Sequence, residues 1–310
     1  MSSLPYYDAE MVFATVDFAA AVRALDTALA GGLDPAAALG RTFAEVEWGQ
    51  LLLMPAEGSG FVGVKLASIA PDNPARGLER IQAVYLLMDS ETLTPIALFD
   101  GTALTTLRTP ALSAVAVRHL APEGPATLLV IGSGPQAWGH VHAVAAVREL
   151  AEVIITGRSA EKAAALVARL GGEGFSARVG EPADAASATV IVCATTATDP
   201  VFDGSLVTGE TVVVAVGSHE TSRRELDSAL VARSFVVVED TASALREAGD
   251  VVIPIEEGLM DAAALVPIRD VVLGGVAIPA GRPRIFKSVG MGWEDLIVAA
   301  EVHRRAGAAS

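Results

Sequence analysis

The chain has 310 residues, 52% of them hydrophobic, so it is long enough for two domains with a core in each. Its formal charge of −15 at pH 7 excludes nucleic acid and anionic membrane surfaces as general partners, because both would be repelled. A small anionic substrate is still compatible with this charge, since a few cations can dominate one cleft. The single cysteine, Cys193, excludes an internal disulfide and a cysteine-rich zinc site, and its apolar neighbours favour an inert core thiol.

The start of the chain, MSSLPYYDAEM, lacks the basic residues and the apolar stretch of a secretory signal. The apolar runs elsewhere are interrupted too early to cross a bilayer. We therefore expect a cytoplasmic protein that has no membrane partner.

The first predicted element is a helix that follows Asp17. Asp17 is a suitable N-cap, and the pair Gly31-Gly32 ends the helix. One face is apolar at helical spacing and consists of Phe18, Val22, Leu25 and Leu29.

A β-rich segment begins at Arg41. Its short apolar and β-branched runs are separated by turn residues, which predicts an antiparallel or mixed sheet. These runs are RTFAEVEW, QLLLMPA, FVGVKLASI, QAVYLLMD and TPIALFD. A helix is then predicted from about Thr109 to Leu120, with Thr109 as its cap and Pro110 at its first position.

After the linker APEGPA, apolar strands alternate with helices. The strands are TLLVIG, VIITG, TVIVCA, TVVVAVG and FVVVED. Helices are predicted through about Arg148, from Ala160 and near Arg224, and RIFKSVG precedes a final amphipathic helix. This alternation predicts a parallel sheet covered on both faces, so the fold class is α/β, with a Rossmann doubly wound sheet and a smaller α/β domain.

A glycine-rich turn joins the strand TLLVIG to the next helix. It has the GxGxxA form of the dinucleotide-binding turn and comprises Gly132, Ser133, Gly134, Pro135, Gln136 and Ala137. The first glycine permits the tight turn, the second lets the backbone approach a pyrophosphate, and the alanine permits close packing of helix and strand. A turn without a ligand is the alternative, but the flanking strand and helix favour a dinucleotide.

The second strand ends in Gly157-Arg158-Ser159 instead of the acid that usually binds the ribose 2′-hydroxyl. An arginine there attracts a 2′-phosphate, so NADP(H) is preferred and NAD(H) is the alternative cofactor. The structural alternative is a solvated Arg158 and a Ser159 that caps the next helix. Thr195 and Thr196 follow the strand TVIVCA at its carboxyl end, where they contact the cofactor or satisfy backbone groups of the loop.

Seven blocks across nearly the whole chain resemble the ornithine cyclodeaminase and mu-crystallin family. They are Arg41 before LLLMPA, GVKLASIAPDNP, YLLMDSETLTPIALFDG, LTTLRTPALSA, VIGSGPQA, VGSHETSRREL and FKSVGMGWEDL. The resemblance implies a substrate-binding and dimerisation domain at residues 1–120 and 288–310, closed by the C-terminal helix. It implies an NAD(P)-binding domain at 121–287 and a homodimer.

The resemblance also assigns three cations. Arg41, Lys65 and Arg108 match the positions that hold the α-carboxylate of the substrate in that family. Arginine and lysine suit a carboxylate chemically. Lys65 lies in the apolar run FVGVKLASI, where an unpaired ammonium is costly, so a ligand or an acidic partner is expected. Each cation taken alone is more typical of a surface or salt-bridge residue.

The block VGSHETSRREL departs from the cyclodeaminating members. His219 stands where they carry an aspartate, and Arg223 stands where they carry a lysine. His219 is a candidate proton donor because its pKa lies near neutrality, and Glu220 is a nearby alternative. Ser288 and Gly290 resemble the segment beside the nicotinamide. Asp295 resembles the start of the final helix, where an acid is also favoured by the helix dipole.

These observations lead to one hypothesis with two rivals. The hypothesis is hydride transfer from NADPH to a cyclic ketimine carboxylate, or related amino-acid dehydrogenase chemistry, on a small amino or imino acid. Lys65 and Arg108, with Arg41, orient the carboxylate, and His219 supplies a proton. The rivals are ornithine cyclodeamination, which the missing acid at His219 disfavours, and a ligand-binding protein in the manner of mu-crystallin.

Overall fold

The computed structural model describes residues 4–308, without the side chain of Pro74. These residues form two compact units. The first unit holds the residues up to Ala28, Ala37–Thr109 and the residues from Met291 onward. The second unit holds Leu29–Ala36 and Pro110–Gly290.

The described part of the first unit contains one sheet of six strands. They are β1 (Tyr6–Tyr7), β2 (Thr42–Val46), β3 (Gly49–Gly58), β4 (Phe61–Ile69), β5 (Ile81–Asp89) and β6 (Pro95–Asp100). The strand order is β1-β6-β5-β4-β3-β2, with β1 parallel to β6 and all other pairs antiparallel. The antiparallel or mixed sheet predicted from Arg41 onward is therefore confirmed: β2 to β6 pair antiparallel, and β1, which was not predicted, makes the sheet mixed.

The first unit also contains helices. They are α1 (Ala9–Thr15), α2 (Phe18–Ala30), the start of α3 (Gly101–Leu120) and α10 (Gly292–Ala308). Helix α10 packs on β3, β4 and β5. The Oδ1 atom of Asp17 accepts a hydrogen bond from the backbone N of Ala20 at 2.7 Å, which confirms the predicted cap of α2. Helix α1 was not predicted.

Helix α3 corrects the prediction of a helix from Thr109. It begins at Gly101 and carries Pro110 in its interior. The Oδ1 atom of Asp100 accepts hydrogen bonds from the backbone N of Thr102 and of Ala103, both at 2.9 Å, so Asp100 supplies the cap that Thr109 was expected to supply. Arg108 consequently lies inside a long helix and not before one.

In the described part of the second unit, eight parallel strands form the sheet. They are β7 (Ala126–Ile131), β8 (Leu150–Thr156), β9 (Ala177–Val179), β10 (Val190–Cys193), β11 (Val212–Ala215), β12 (Phe235–Val238), β13 (Val266–Pro267) and β14 (Arg284–Lys287). Their order is β13-β12-β14-β11-β10-β7-β8-β9. From β7 the chain adds β8 and β9 on one side and then continues with β10 on the other side, so the order of the strands reverses between β7 and β10. This doubly wound arrangement confirms the predicted Rossmann fold and sets the ligand edge at the carboxyl ends of β7 and β10.

The helices of the second unit differ in part from the prediction. They are α4 (Pro135–Ala145), α5 (Ala160–Gly172), α6 (Ser228–Arg233), α7 (Thr241–Glu247), α8 (Gly249–Glu256) and α9 (Ile268–Val272). Helix α4 ends at Ala145 and not near Arg148. The helix expected near Arg224 starts at Ser228, because the side chain of Asp227 caps it by accepting from the backbone N of Leu230 at 2.8 Å. The short elements β9, β13 and α7 to α9 were not predicted.

Between residues 4 and 308, no helix combines the length and the apolar character that crossing a bilayer requires.

Candidate functional site

The turn after β7 lies where the order of the parallel strands reverses. Gly132 has φ +141°, and a Cβ atom added there would lie 2.5 Å from the backbone O of Ala194, at the end of β10. A side chain at this position would therefore separate the two strands. The first glycine of the predicted dinucleotide turn is required by the backbone itself.

The N-terminus of α4 is open to a ligand. Gly134 is its N-cap, no side chain from the described residues caps the helix, and Pro135 occupies the first turn. A Cβ atom added at Gly134 would meet no heavy atom within 4 Å, whereas Ala137 is fully buried against the sheet. A helix N-terminus of this kind can bind an anionic group, such as a phosphate, through the backbone N–H groups of its first turn.

The loop after β8 joins this turn. A Cβ atom added at Gly157 would lie 3.6 Å from the Oγ atom of Ser133. The Nη2 atom of Arg158 donates a hydrogen bond to the Oγ1 atom of Thr196 at 3.4 Å, and the Arg158 side chain is exposed. Ser159 caps α5 by accepting from the backbone N of Lys162 at 3.2 Å. Arg158 and Thr196 are therefore neighbours at the edge where an adenosine 2′-substituent is bound in this fold.

Thr195 is directed differently from Thr196. Its backbone N and its Oγ1 atom both donate to the Oε1 atom of Glu225 at 2.8 Å. Glu225 is fully buried, and its pKa is raised, mainly by burial. Sequence reasoning did not identify Glu225, because the acid lies in an irregular segment before α6.

Ser288 and Gly290 are held by a second buried acid, Glu239. The Oγ atom of Ser288 donates to Glu239 Oε1 at 2.8 Å, and the backbone N of Gly290 donates to the same atom at 3.0 Å. The backbone N of Val289 donates to Glu239 Oε2 at 2.7 Å. The segment after β14 is therefore fixed by one carboxylate, which the sequence analysis did not single out.

His219 and its alternative, Glu220, lie in an exposed turn after β11. The Oε2 atom of Glu220 lies 3.2 Å from the Nε atom of Arg223, so Glu220 takes part in a local surface ion pair. His219 remains a candidate proton donor on sequence grounds.

In the first unit, Lys65 lies in a buried charge cluster. Its Nζ atom donates to the Oδ2 atom of Asp295 at 2.8 Å and to the Oγ1 atom of Thr105 at 3.3 Å. Lys65 is only 4% exposed, and Asp295 is fully buried. Of the two partners expected for this lysine, a ligand or an acid, the structure shows an acid, which comes from the final helix.

Arg108 joins the same cluster from α3. Its Nη1 atom donates to the Oε2 atom of Glu294 at 2.5 Å, and its Nε atom lies 3.4 Å from the Oδ1 atom of Asp295. Glu294 also accepts from the backbone N of Met291 at 2.6 Å. We call Lys65, Arg108, Glu294 and Asp295 the charge quartet. It holds two positive and two negative groups in a buried setting. Glu294 was not among the site residues predicted from the sequence.

The buried position of Lys65 changes the pKa of its ammonium group. Burial lowers the pKa of Lys65 to about 8; the neighbouring Asp295 opposes this shift, and Arg108 adds to it. Tyr85 lies opposite Lys65 on β5, and burial together with Asp295 raises the pKa of its hydroxyl. Arg41, the third predicted cation, is half-buried directly before β2.

Comparison with known proteins places this site in a family context. A sequence profile of the ornithine cyclodeaminase/mu-crystallin family matches residues 13–310. A Δ1-pyrroline-2-carboxylate reductase of Bacillus thuringiensis subsp. konkukian is 40% identical over 271 residues, which cover 82% of this chain and 81% of the relative.

Two solved structures share the fold across nearly their whole length. Thermococcus litoralis Δ1-pyrroline-2-carboxylate reductase, in complex with NADH and L-proline, superposes with a TM-score of 0.91 at 29% identity, covering 98% of this chain and 97% of that one. An archaeal alanine dehydrogenase dimer with bound NAD also gives 0.91, at 27% identity, covering 98% and 96%. The chain belongs to the ornithine cyclodeaminase/mu-crystallin family.

Proposed function

We propose that this protein is an NAD(P)H-dependent reductase of cyclic ketimine carboxylates, with Δ1-pyrroline-2-carboxylate as the first candidate substrate. The observation that carries the proposal is the 40% identity to a reductase of that substrate over four-fifths of both chains. The buried charge quartet supports it, because a carboxylate substrate needs fixed cations.

Lys65, Arg108 and Arg41 are the residues that we assign to the substrate carboxylate. An ammonium group carries three N–H donors, and within the described residues Asp295 and Thr105 accept from two of those on Lys65. The third donor is therefore available to a substrate oxygen. The quartet is neutral as a whole, and Arg41 would add a third cation to the proposed carboxylate site.

The proposed reduction also needs a proton at the imine nitrogen, because a protonated imine accepts hydride more readily. His219 is our first candidate donor, and Glu220 is the second. Lys65 and Arg108 contribute to rate by orienting the substrate, which lowers the entropic part of the barrier. The bound cofactor supplies the hydride.

Turnover assays test this function directly. Purified protein is mixed with NADPH and a panel of cyclic ketimines, and the absorbance of the reduced cofactor is followed. Net oxidation supports the reductase. Ammonia release from ornithine without net oxidation would identify a cyclodeaminase, and cofactor binding with neither reaction would identify a binding protein. A Lys65→Met variant serves as a control, since it should lose turnover and retain cofactor binding.

For the cofactor, we propose a seat on Gly132 to Ala137, Gly157 to Ser159, Thr195, Thr196, Ser288 and Gly290, with NADP(H) preferred. The related structures contain NADH or NAD, so the preference rests on Arg158 and on the absence of an acid at the end of β8.

Arg158→Ala should raise the KM for NADPH roughly tenfold or more and change the KM for NADH little. Arg178→Ala is the matched control, because Arg178 is a surface arginine bound to Glu152 and Asp184. Equal losses for both cofactors would overturn the preference.

We also propose a homodimer formed through the outward face of the six-stranded sheet. Leu53, Leu66 and Val84 lie in register on that face, and the two leucines are exposed. Extended apolar faces of this kind are typical of subunit interfaces. The related alanine dehydrogenase is a dimer. A monomer mass from light scattering would contradict the proposal.

A further inference from the structure

Glu225 links two loops at the ligand edge of the parallel sheet. Its Oε1 atom accepts from the backbone N and the Oγ1 atom of Thr195, and its Oε2 atom accepts from the backbone N of Gly217 at 2.7 Å. Glu225 is fully buried, so each of these bonds is shielded from water. One carboxylate therefore holds both the loop of Thr195 and the loop of Gly217.

The two loops follow neighbouring strands that end in the same register. Cys193 of β10 is paired with Ala215 of β11, and Thr195 and Gly217 each lie two residues beyond this pair. A Cβ atom added at Gly217 would lie 2.5 Å from Glu225 Oε1 and would overlap the backbone O of Thr195. The loops are thus packed as tightly as their backbones permit, with the carboxylate between them.

Glu225 is itself held by a buried ion pair. The Oδ1 atom of Asp250 accepts from the backbone N of Glu225 at 2.7 Å and of Leu226 at 2.9 Å. The Nζ atom of Lys287, at the end of β14, lies 2.9 Å from Asp250 Oδ2 and donates to the backbone O of Ser218 at 2.6 Å. The ends of β10, β11 and β14 are therefore connected through side chains. We call Glu225, Asp250 and Lys287 the strand-end triad.

The position of the triad relates to the cofactor halves. In a doubly wound sheet each half of the strands receives one mononucleotide. The glycine-rich turn and Arg158 belong to the half with β7 and β8, so the second mononucleotide, which carries the nicotinamide, falls to the half with β10, β11 and β14. Thr195 and Gly217 lie at that edge.

We propose that Glu225 is a positioning residue that holds the loops of Thr195 and Gly217 in the shape that receives the nicotinamide half of the cofactor. This inference rests on the proposed function only in assigning NAD(P)H as the ligand. Glutamine cannot replace Glu225 in this role. Both carboxylate oxygens accept from N–H groups, whereas the amide would turn an NH₂ group toward one of them.

The test compares Glu225→Gln with Ser234→Ala. Ser234 is a buried serine of the same unit. Its hydroxyl donates to the backbone O of Leu230 at 2.6 Å, and this bond involves neither of the two loops nor Glu225. Its alanine variant should lower the thermal midpoint and leave cofactor binding intact. Glu225→Gln should weaken NADPH binding, measured by titration of its fluorescence, roughly tenfold or more, and should raise the cofactor KM more than the imine KM.

Each outcome of this test decides the inference. Unchanged NADPH affinity in Glu225→Gln overturns it, and so does an equal loss in Ser234→Ala, since the effect would then follow stability alone. If Glu225→Gln does not fold, Glu225→Asp takes its place, because it keeps a carboxylate in this buried position and is one methylene too short to hold both Thr195 and Gly217. A rise of about threefold in the dissociation constant supports the inference, and no rise overturns it. The binding titration needs no turnover, so failure of the proposed reaction in the wild type is recorded separately.

Discussion

Each unit of the protein buries a cluster of charges, and the two clusters use their carboxylates differently. In the charge quartet, Glu294 and Asp295 bind the side-chain cations Lys65 and Arg108. In the strand-end triad, the carboxylates accept mainly from backbone N–H groups. The one cation of the triad, Lys287, pairs with Asp250. The quartet therefore has two charges of each sign, whereas the triad has one positive and two negative groups.

This difference indicates two purposes for buried charge. Carboxylates that bind side-chain cations keep those cations charged and oriented, which suits the proposed recognition of an anionic substrate. Carboxylates that bind backbone N–H groups fix the course of loops, which suits a cofactor seat. Neither arrangement is a stability device in itself, because desolvation of buried ions offsets most of their attraction.

The largest effect is expected for Asp295→Asn. At pH 7 the change leaves two buried cations with one carboxylate, so the free energy of unfolding should fall by about 3–5 kcal/mol in urea denaturation. The double variant Lys65→Met/Asp295→Leu removes the pair together and should regain most of this loss without regaining turnover. A single variant as stable as the wild type would show that Asp295 is not needed to balance the quartet.

A smaller effect is expected for Asp250→Asn in the triad. The amide oxygen can still accept from the backbone N of Glu225 and of Leu226, and Glu225 remains as a negative partner near Lys287. We expect a loss of about 1–3 kcal/mol by the same denaturation method. A loss larger than that of Asp295→Asn would reverse the comparison of the two clusters.

The smallest effect concerns pH. Above its pKa of about 8, Lys65 loses its proton, while Arg108 stays charged and Asp295 and Glu294 still face the site. Binding of a ring carboxylate that has no imine to titrate, such as pyrrole-2-carboxylate, should weaken as pH rises through 8, by about tenfold at pH 9. Its inhibition constant against pH measures this. The KM for the cofactor in the same series is the control, and a flat inhibition profile would remove Lys65 from carboxylate binding.

Local patterns explain which parts of the fold were predictable. The dinucleotide turn is contiguous in sequence, and its strand, glycines and helix predict one another. The predicted beginning of α3 was wrong, because proline is favoured in the first turn of a helix and the cap at Asp100 was not recognised. Glu225, Asp250 and Glu239 were missed because each binds backbone groups of segments remote in the chain, and composition carries no signal for such bonds.

The sequence by itself determined the α/β class, the dinucleotide turn and the need of Lys65 for a partner. Those features depend on periodicity, on glycine sterics and on the cost of burying a charge, which are properties of short segments. The tertiary structure alone decided which partner Lys65 receives. Asp295 lies 230 positions further along the chain, and only the packing of α10 on the sheet brings its carboxylate to 2.8 Å from the ammonium.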